Sequence, residues 1–446
     1  MKKIRMIPII LIICTVFSLI SAAAAAEPAS ELPALSAKAA FVGDLGTGKS
    51  VFSLNAEDRR APASLTKIMT ALLAVEAVES GKAALDEMIT VQTEAFYDLA
   101  DDGSSAKLVP GEIMSLKDLL YCALLGSAND ACNVIGIHIG GSLDNFIAMM
   151  NERAADLGCE NTHFVNTHGL PDEEHYSSAE DLFTIFSEDM EHELFVNFAS
   201  TKKYKTAATN VSAERELINT NALINEEAIY GKIYGYAPAI CGKTGHTEAA
   251  GYCLISAAEK DGMRLCTVVL GCDKEPTYDS EIFHNFTESE ELYKWAFGNF
   301  GYKTLLTANE PLGEIGVTMG EAESVALYAG SDVIALLPND SDPASFETRL
   351  EISEDPVAAP VLPGQILGKV SIVSGDGAVI GSAKLLAANA VALDGGDLVL
   401  NKLGEFLGHT WLLLLVVVIV IIVVVYVVLA VRYRAKRKAQ LRQKKP

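Results

Sequence analysis

An α+β domain followed by a small all-β module and one membrane-spanning helix is the fold class that this 446-residue chain predicts. Three observations carry it. Helix-period apolar patterns dominate up to about residue 157, and from Tyr236 they give way to strand patterns joined by a tight turn. Near the C-terminus, residues 411–431 form an apolar run with no charge, Gly or Pro. Helices that precede antiparallel strands point to segregated layers rather than alternating βαβ units.

At the N-terminus, Lys2, Lys3 and Arg5 precede an apolar stretch that ends in Ala24, Ala25 and Ala26. A basic head, a short apolar middle and small residues at the end make a secretory signal peptide, so residues 1–26 are expected to be removed. The alternative, a first membrane anchor, calls for a longer apolar run. Residues 37–57 read as two strands about the turn Gly46-Thr47-Gly48, and residues 64–80 as a helix that Gly81 stops. Two helices follow in 116–141, broken near Gly126-Ser127, and a third covers 143–157. Residues 239–244 read as a strand, and 251–258 with 263–271 as a hairpin closed by Asp261-Gly262. A helix over 288–297 completes one domain, residues 27–300. Residues 301–393 hold short Val/Ile/Leu runs between turns and predict the all-β module.

A polar stem, 394–410, leads to the apolar run 411–431, which is long enough to cross a bilayer. Eight cations crowd residues 432–446. Positive charge beside a span places that end in the cytoplasm, so the large N-terminal part is expected outside the cell membrane. The chain carries a formal charge of −23 although both ends are basic, so the middle is strongly acidic. That balance argues against nucleic acid as a partner. Seven cysteines remain after Cys14 of the signal segment, an odd number with no C-x-x-C pair. They lie mostly in apolar stretches and read as reduced, buried thiols.

Three short motifs carry chemistry. Ser64 and Lys67 form S-x-x-K at the start of a predicted helix. One turn apart, they share a face, and a partly desolvated lysine can take the proton of a serine nucleophile. A second match, Ser200 to Lys203, lacks the other parts. Ser127-Ala128-Asn129 forms S-x-N in a helix break, where helix capping is the alternative role for Ser127 and Asn129. Lys243-Thr244-Gly245 occurs on a predicted strand. Lysine and threonine suit a carboxylate there, glycine admits a close backbone, and an edge strand can take a peptide by strand addition. Standing alone, the motif reads rather as a surface lysine on a strand.

In the order S-x-x-K, S-x-N, K-T-G, with 63 and 116 residues between their first residues, the set matches that of penicillin-binding proteins. The chain resembles the low-molecular-weight penicillin-binding proteins, the serine-type D-alanyl-D-alanine carboxypeptidases. The likeness extends through the segments around Pro62 to Thr70, Leu124 to Ala131, His168-Gly169-Leu170 and Lys243 to Thr247. It implies a penicillin-binding/β-lactamase-like transpeptidase fold, an antiparallel sheet with helices. It also implies removal of the terminal D-Ala from peptidoglycan stem peptides ending in D-Ala-D-Ala, and covalent inhibition by β-lactams.

By that resemblance, Ser64 is the nucleophile, Lys67 its base and Ser127 the proton relay to the leaving amine. Asn129 holds the substrate amide, Lys243, Thr244 and Gly245 serve the terminal carboxylate, and the backbone N–H groups of Ser64 and His246 form the oxyanion hole. Either Lys67 or Ser127 activates the water that releases the acyl group. The chain departs from the family at Asn219-Thr220-Asn221, where members carry an Arg between the two Asn, and at an insertion-like stretch, 226–237. No cofactor or metal is expected, since His163, His168 and His175 have no compact ligand spacing. The same machinery also suits a D,D-endopeptidase or a weak β-lactamase. A non-catalytic β-lactam sensor or wall-binding protein is the reading from another class.

Overall fold

The computed structural model describes residues 31–101, 103–225, 228, 231–277, 281–396, 399 and 410–443. The expected signal segment 1–26 lies outside these residues, as does most of the stem 394–410. The chain divides into two compact units, the first running to Tyr302 and taking in Leu336–Asn339.

The first unit opens with strands β1 (Ala39–Asp44) and β2 (Ser50–Leu54), a 3-10 turn over Ala63–Thr66, and helix α1 (Lys67–Glu79). Two short strands, β3 (Met88–Thr90) and β4 (Ile113–Ser115), precede helices α2 (Leu116–Leu124), α3 (Asn129–Gly140) and α4 (Leu143–Asp156). Then come α5 (Ala179–Asp189), α6 (Glu193–Ala199), β5 (Lys203–Lys205) and β6 (Glu216–Ile218). Strands β7 (Ala239–Thr247), β8 (Gly251–Lys260) and β9 (Met263–Cys272) lead through the hairpin β10 (Lys274–Pro276) and β11 (Glu281–Phe283) to α7 (His284–Asn299).

One antiparallel sheet, in the order β2-β1-β9-β8-β7, organises this unit. Its three central strands, β1, β9 and β8, are buried along most of their length because both faces are covered. Successive side chains point to opposite faces. Phe41, Ile255 and Val268 therefore enter the core built with α1 to α6, while Val42, Leu254 and Val269 join Phe286, Leu292 and Tyr293 of α7. Helix α1 is buried along most of its length, which explains why it carries little amphipathic signature. All seven described cysteines are buried free thiols, and Cys241, Cys253 and Cys266 sit in the helix-side core.

The helix expected over 64–80 is interrupted. Ala63 adopts φ +48°, outside the right-handed helical region, so Ser64 lies in the 3-10 turn and the α-helix begins at Lys67. Strand β7 extends beyond the predicted 239–244 to Thr247, carrying Gly245 and His246 with it. It is an edge strand of the sheet.

The second unit holds most of β12 (Phe300–Leu306), then β13 (Pro311–Thr318), β14 (Ser324–Ala329), the first half of β15 (Val333–Pro338), β16 (Glu347–Ile352), β17 (Val357–Ala358), β18 (Ile366–Val373) and β19 (Val379–Ala387). A six-stranded sheet runs β16-β18-β19-β14-β13-β17. Its core gathers Val325, Leu327, Val370, Ile372 and Leu385. Helix α8 (Thr410–Gln443) contains a stretch, Leu413–Lys438, long and apolar enough to cross a membrane, and none of its most apolar part is buried.

Candidate active site

The nucleophile turn is built by local constraint. The hydroxyl of Thr66 donates to the Ala63 carbonyl at 2.9 Å and lies 2.8 Å from His175 Nε2. Because the Thr66 proton is already used, His175 must donate through Nε2–H. Its Nδ1 accepts from the Val165 N–H at 3.1 Å, so the ring is neutral. Gly169 packs against the same carbonyl: a Cβ there would lie 1.8 Å from Ala63 O, and Gly169 has φ +95°.

Lys67, first residue of α1, is fully buried, and its Nζ makes three contacts. It lies 2.8 Å from Ser64 Oγ, 2.7 Å from Asn129 Oδ1 and 2.7 Å from the His168 carbonyl. The latter two are obligate acceptors and take two N–H bonds. The third position faces the Ser64 hydroxyl, which can both donate and accept. A neutral Lys67 therefore presents its lone pair to the serine proton without losing another contact. Burial pushes this ammonium down to about 8, against the opposing pull of Cys132 and Asp130.

His168 is held in turn. Its Nδ1 accepts from the Leu170 N–H at 3.2 Å, and its Nε2 lies 3.1 Å from Asp98 Oδ2. Burial, and then the Lys67 charge, hold its pKa below the usual imidazole range against the Asp98 hydrogen bond. Asn133 donates to the other oxygen of Asp98 at 2.6 Å and accepts from the Thr167 hydroxyl at 2.6 Å.

Ser127 and Asn129 stand in the break between α2 and α3. Ser127 has φ +57°, and its Oγ accepts from Lys243 Nζ at 2.9 Å. The capping alternative for Asn129 does not hold: Ala128 occupies the N-cap, and the Asn129 side chain instead accepts from Lys67. Asp130 pins the preceding loop by accepting from Ser105 Oγ and from the N–H groups of Ala106 and Leu108.

Lys243 is buried. Its Nζ is committed to Ser127 and, at 2.8 Å, to the Thr244 carbonyl. Burial, then the charge of Lys67, hold it well below the ordinary lysine range. Thr244, Gly245 and His246 face a cleft of about 350 Å³ together with Ser64 and Ser127. Gly245 lets β7 approach the nucleophile turn: a Cβ there would stand 3.0 Å from Pro62 O and 3.2 Å from Ser64 N, crowding backbone. Lys67 and Lys243 stand behind this lining and hold Ser64 and Ser127 by hydrogen bonds, and Asn129 in turn accepts from Lys67.

The cleft has further walls that no short motif marks. Thr220, in the segment where the resemblance led to an Arg, places its Oγ1 2.7 Å from Thr244 Oγ1. Ser104 contributes from the connection between β3 and β4, and Tyr252, Phe283, Asn285 and Phe286 from β8, β11 and α7. Their positions come from long-range packing, which sequence spacing does not encode. Of the histidines considered for metal, His168 and His175 are engaged as above, and His163 Nδ1 lies 2.6 Å from the Glu174 carbonyl.

Comparison with known proteins agrees with this geometry. Residues 23–274 match the family described as D-alanyl-D-alanine carboxypeptidase, and residues 300–393 match the penicillin-binding protein 5 C-terminal domain. The D-alanyl-D-alanine carboxypeptidase DacF of Bacillus subtilis is 31% identical over 352 residues, covering 79% of this chain and 85% of its own. DacA of Haemophilus influenzae is 32% identical over 383 residues, covering 84% and 89%. The crystal structure of penicillin binding protein 5 from Haemophilus influenzae superposes with a TM-score of 0.65 at 31% identity, over 81% of this chain and 99% of that one. The chain belongs to the D-alanyl-D-alanine carboxypeptidase family, and its second unit carries that family's penicillin-binding protein 5 type of C-terminal domain.

Proposed function

We propose that this serine-type D-alanyl-D-alanine carboxypeptidase acts through Ser64 as nucleophile and Lys67 as base on peptidoglycan stem peptides ending in D-Ala-D-Ala. The observation that carries the reading is the 2.8 Å contact between Lys67 Nζ and Ser64 Oγ, with the other lysine bonds fixed on Asn129 and His168. Ser64 Oγ attacks the carbonyl between the two D-alanines as its proton passes to Lys67. The backbone N–H groups of Ser64 and His246 take the oxyanion, and losing one such donor typically costs about 2.7–4 kcal/mol. As the C–N bond breaks, Ser127 delivers its proton to the amine of the departing D-Ala and is reprotonated by the Lys67 ammonium, which returns to the neutral amine, while Lys243 supports the charge that develops on Ser127. Water, activated by Lys67 or Ser127, then cleaves the ester. Thr244, with Gly245 beside it, receives the terminal carboxylate.

A β-lactam enters the same sequence, but its ring nitrogen stays attached after the C–N bond opens, so the acyl group persists. No step needs a metal or cofactor. The apolar stretch of α8, followed by basic residues, supports an anchor with the catalytic unit outside the cell and the tail in the cytoplasm. Protease added to intact cells should then remove the catalytic unit and spare the tail; the reverse pattern refutes that orientation. The reaction is tested by D-Ala release from a synthetic pentapeptide by the full-length protein in detergent, beside Ser64→Ala. Release and penicillin labelling should both vanish in the variant. Labelling without any release by the native protein would favour the endopeptidase reading.

A further inference from the structure

The active-site cleft is lined by two kinds of chemistry: the hydroxyls of Thr220 and Thr244, and the rings of His246, Tyr252, Phe283 and Phe286. The His246 ring stacks on Tyr252 with centroids 4.1 Å apart and planes 22° from parallel. Phe283 meets Tyr252 edge-on at 5.1 Å. Phe283 belongs to the β10–β11 hairpin, in which Lys274 pairs with Phe283 and Pro276 with Glu281. At the rim of this hairpin Lys274 Nζ stands 2.8 Å from Glu281 Oε1. Lys274 also bonds the Tyr252 side chain, and its charge acts on His246.

Direction follows from the carboxypeptidase reading, on which this inference rests. With the terminal carboxylate at Thr244 and the scissile carbonyl at Ser64, the preceding residues must run along the β7 edge toward His246 and Thr247. An extended chain advances about 3.3 Å per residue, so stem residue three falls beside the aromatic wall. Its side chain meets apolar rings first, and then one cation and one anion in contact with each other. An uncharged aliphatic side chain leaves that pair untouched. A lysine side chain brings a second ammonium next to Lys274, with like-charge repulsion. A side chain that ends in an ammonium and a carboxylate on one carbon matches both partners at once.

We infer that the Lys274–Glu281 pair and the Tyr252–Phe283 wall form a subsite selecting stem peptides whose third residue is a diamino dicarboxylic acid. The side-chain carboxylate meets Lys274, the side-chain ammonium meets Glu281, and the methylene chain lies on the rings. Both protein charges are about 42% exposed, so solvent screens them, and a preference near tenfold is expected rather than a thousandfold.

The test compares D-Ala release by the full-length protein in detergent from three pentapeptides. They differ only at position three, which carries diaminopimelate, lysine or norleucine. The expected order of kcat/KM places diaminopimelate about tenfold above both others at low salt, with the gap closing as salt rises. In Lys274→Gln and in Glu281→Gln the diaminopimelate advantage should disappear. Equal rates on the three peptides, a lysine preference, or an advantage that survives both substitutions overturns the subsite. Release from none of the peptides is a different failure, because it overturns the carboxypeptidase reading and the subsite falls with it.

Discussion

The hydroxyl of Thr220 lies 2.7 Å from that of Thr244, and both side chains face the cleft that holds Ser64. Two hydroxyls so placed can each donate to one carboxylate oxygen. Thr220 lies in the segment where the resemblance led to an Arg, and it offers a neutral donor in place of a cation. Thr220→Val should lower kcat/KM on acyl-D-Ala-D-Ala by about tenfold, the scale of a hydrogen bond to a charged group. Most of that loss should appear in KM. A substrate with its C-terminal carboxylate amidated should lose much less, and equal losses on both would remove Thr220 from carboxylate recognition.

The pH dependence of acylation follows from Lys67. Its conjugate acid is pushed down to about 8, chiefly by burial. Only the neutral amine can take the Ser64 proton, so the penicillin acylation rate should climb as pH rises through about 8 and level off above it. Lys67→Arg, permanently cationic, should reduce acylation by at least about 10²-fold. A flat profile between pH 6.5 and 9, measured with a fluorescent penicillin, would contradict the assignment of Lys67 as base.

His175 makes folding sensitive to acid. Burial lowers its pKa from 6.5 to about 3, and its two ring nitrogens are committed to Thr66 and Val165 in the neutral form. Below pH 6.5 the unfolded chain binds a proton that the native state refuses. Stability is therefore intact above that value and falls as pH drops toward about 3. The full effect is on the order of 5 kcal/mol, at 1.36 kcal/mol per pKa unit. In His175→Gln, which keeps a neutral N–H donor, urea unfolding should show less loss between pH 7 and pH 5 than the native protein. Identical losses would assign the acid sensitivity elsewhere.

Gly169 tests the nucleophile turn without touching a reacting group. Gly169→Ala puts a Cβ into the Ala63 carbonyl and forces alanine to φ +95°. A cost of at least about 2 kcal/mol is expected, together with slower penicillin labelling as the Ala63–Ser64 turn shifts. Thermal unfolding measures the first and labelling the second. A variant matching the native protein in both would show that the turn tolerates the displacement.

Much of the site was legible because its chemistry is written in short segments. Ser64 and Lys67 are one turn apart, Ser127 and Asn129 flank one residue, and Lys243 to His246 are consecutive on one strand. In the other S-x-x-K match, Ser200 caps the end of α6 and Lys203 is exposed on β5. The start of the helix at Ser64 was misread. The apolar period runs through the turn, and nothing in it signals that Ala63 takes a positive φ.

From the sequence alone came the reaction class, the order of the units, the membrane-spanning candidate and the eight residues proposed for the site. Apolar periodicity and charge placement suffice for the units and the span, and the motif spacing with the family resemblance it carries implies the reaction class and the site. Only the tertiary structure decided that Lys243 serves Ser127 from behind the cleft, that His168 lends its carbonyl to Lys67, and that Thr220 faces Thr244. These contacts join residues 116, 101 and 24 positions apart. Such meetings depend on how helices and sheet pack, a sum of many small burial energies that no short window of sequence contains.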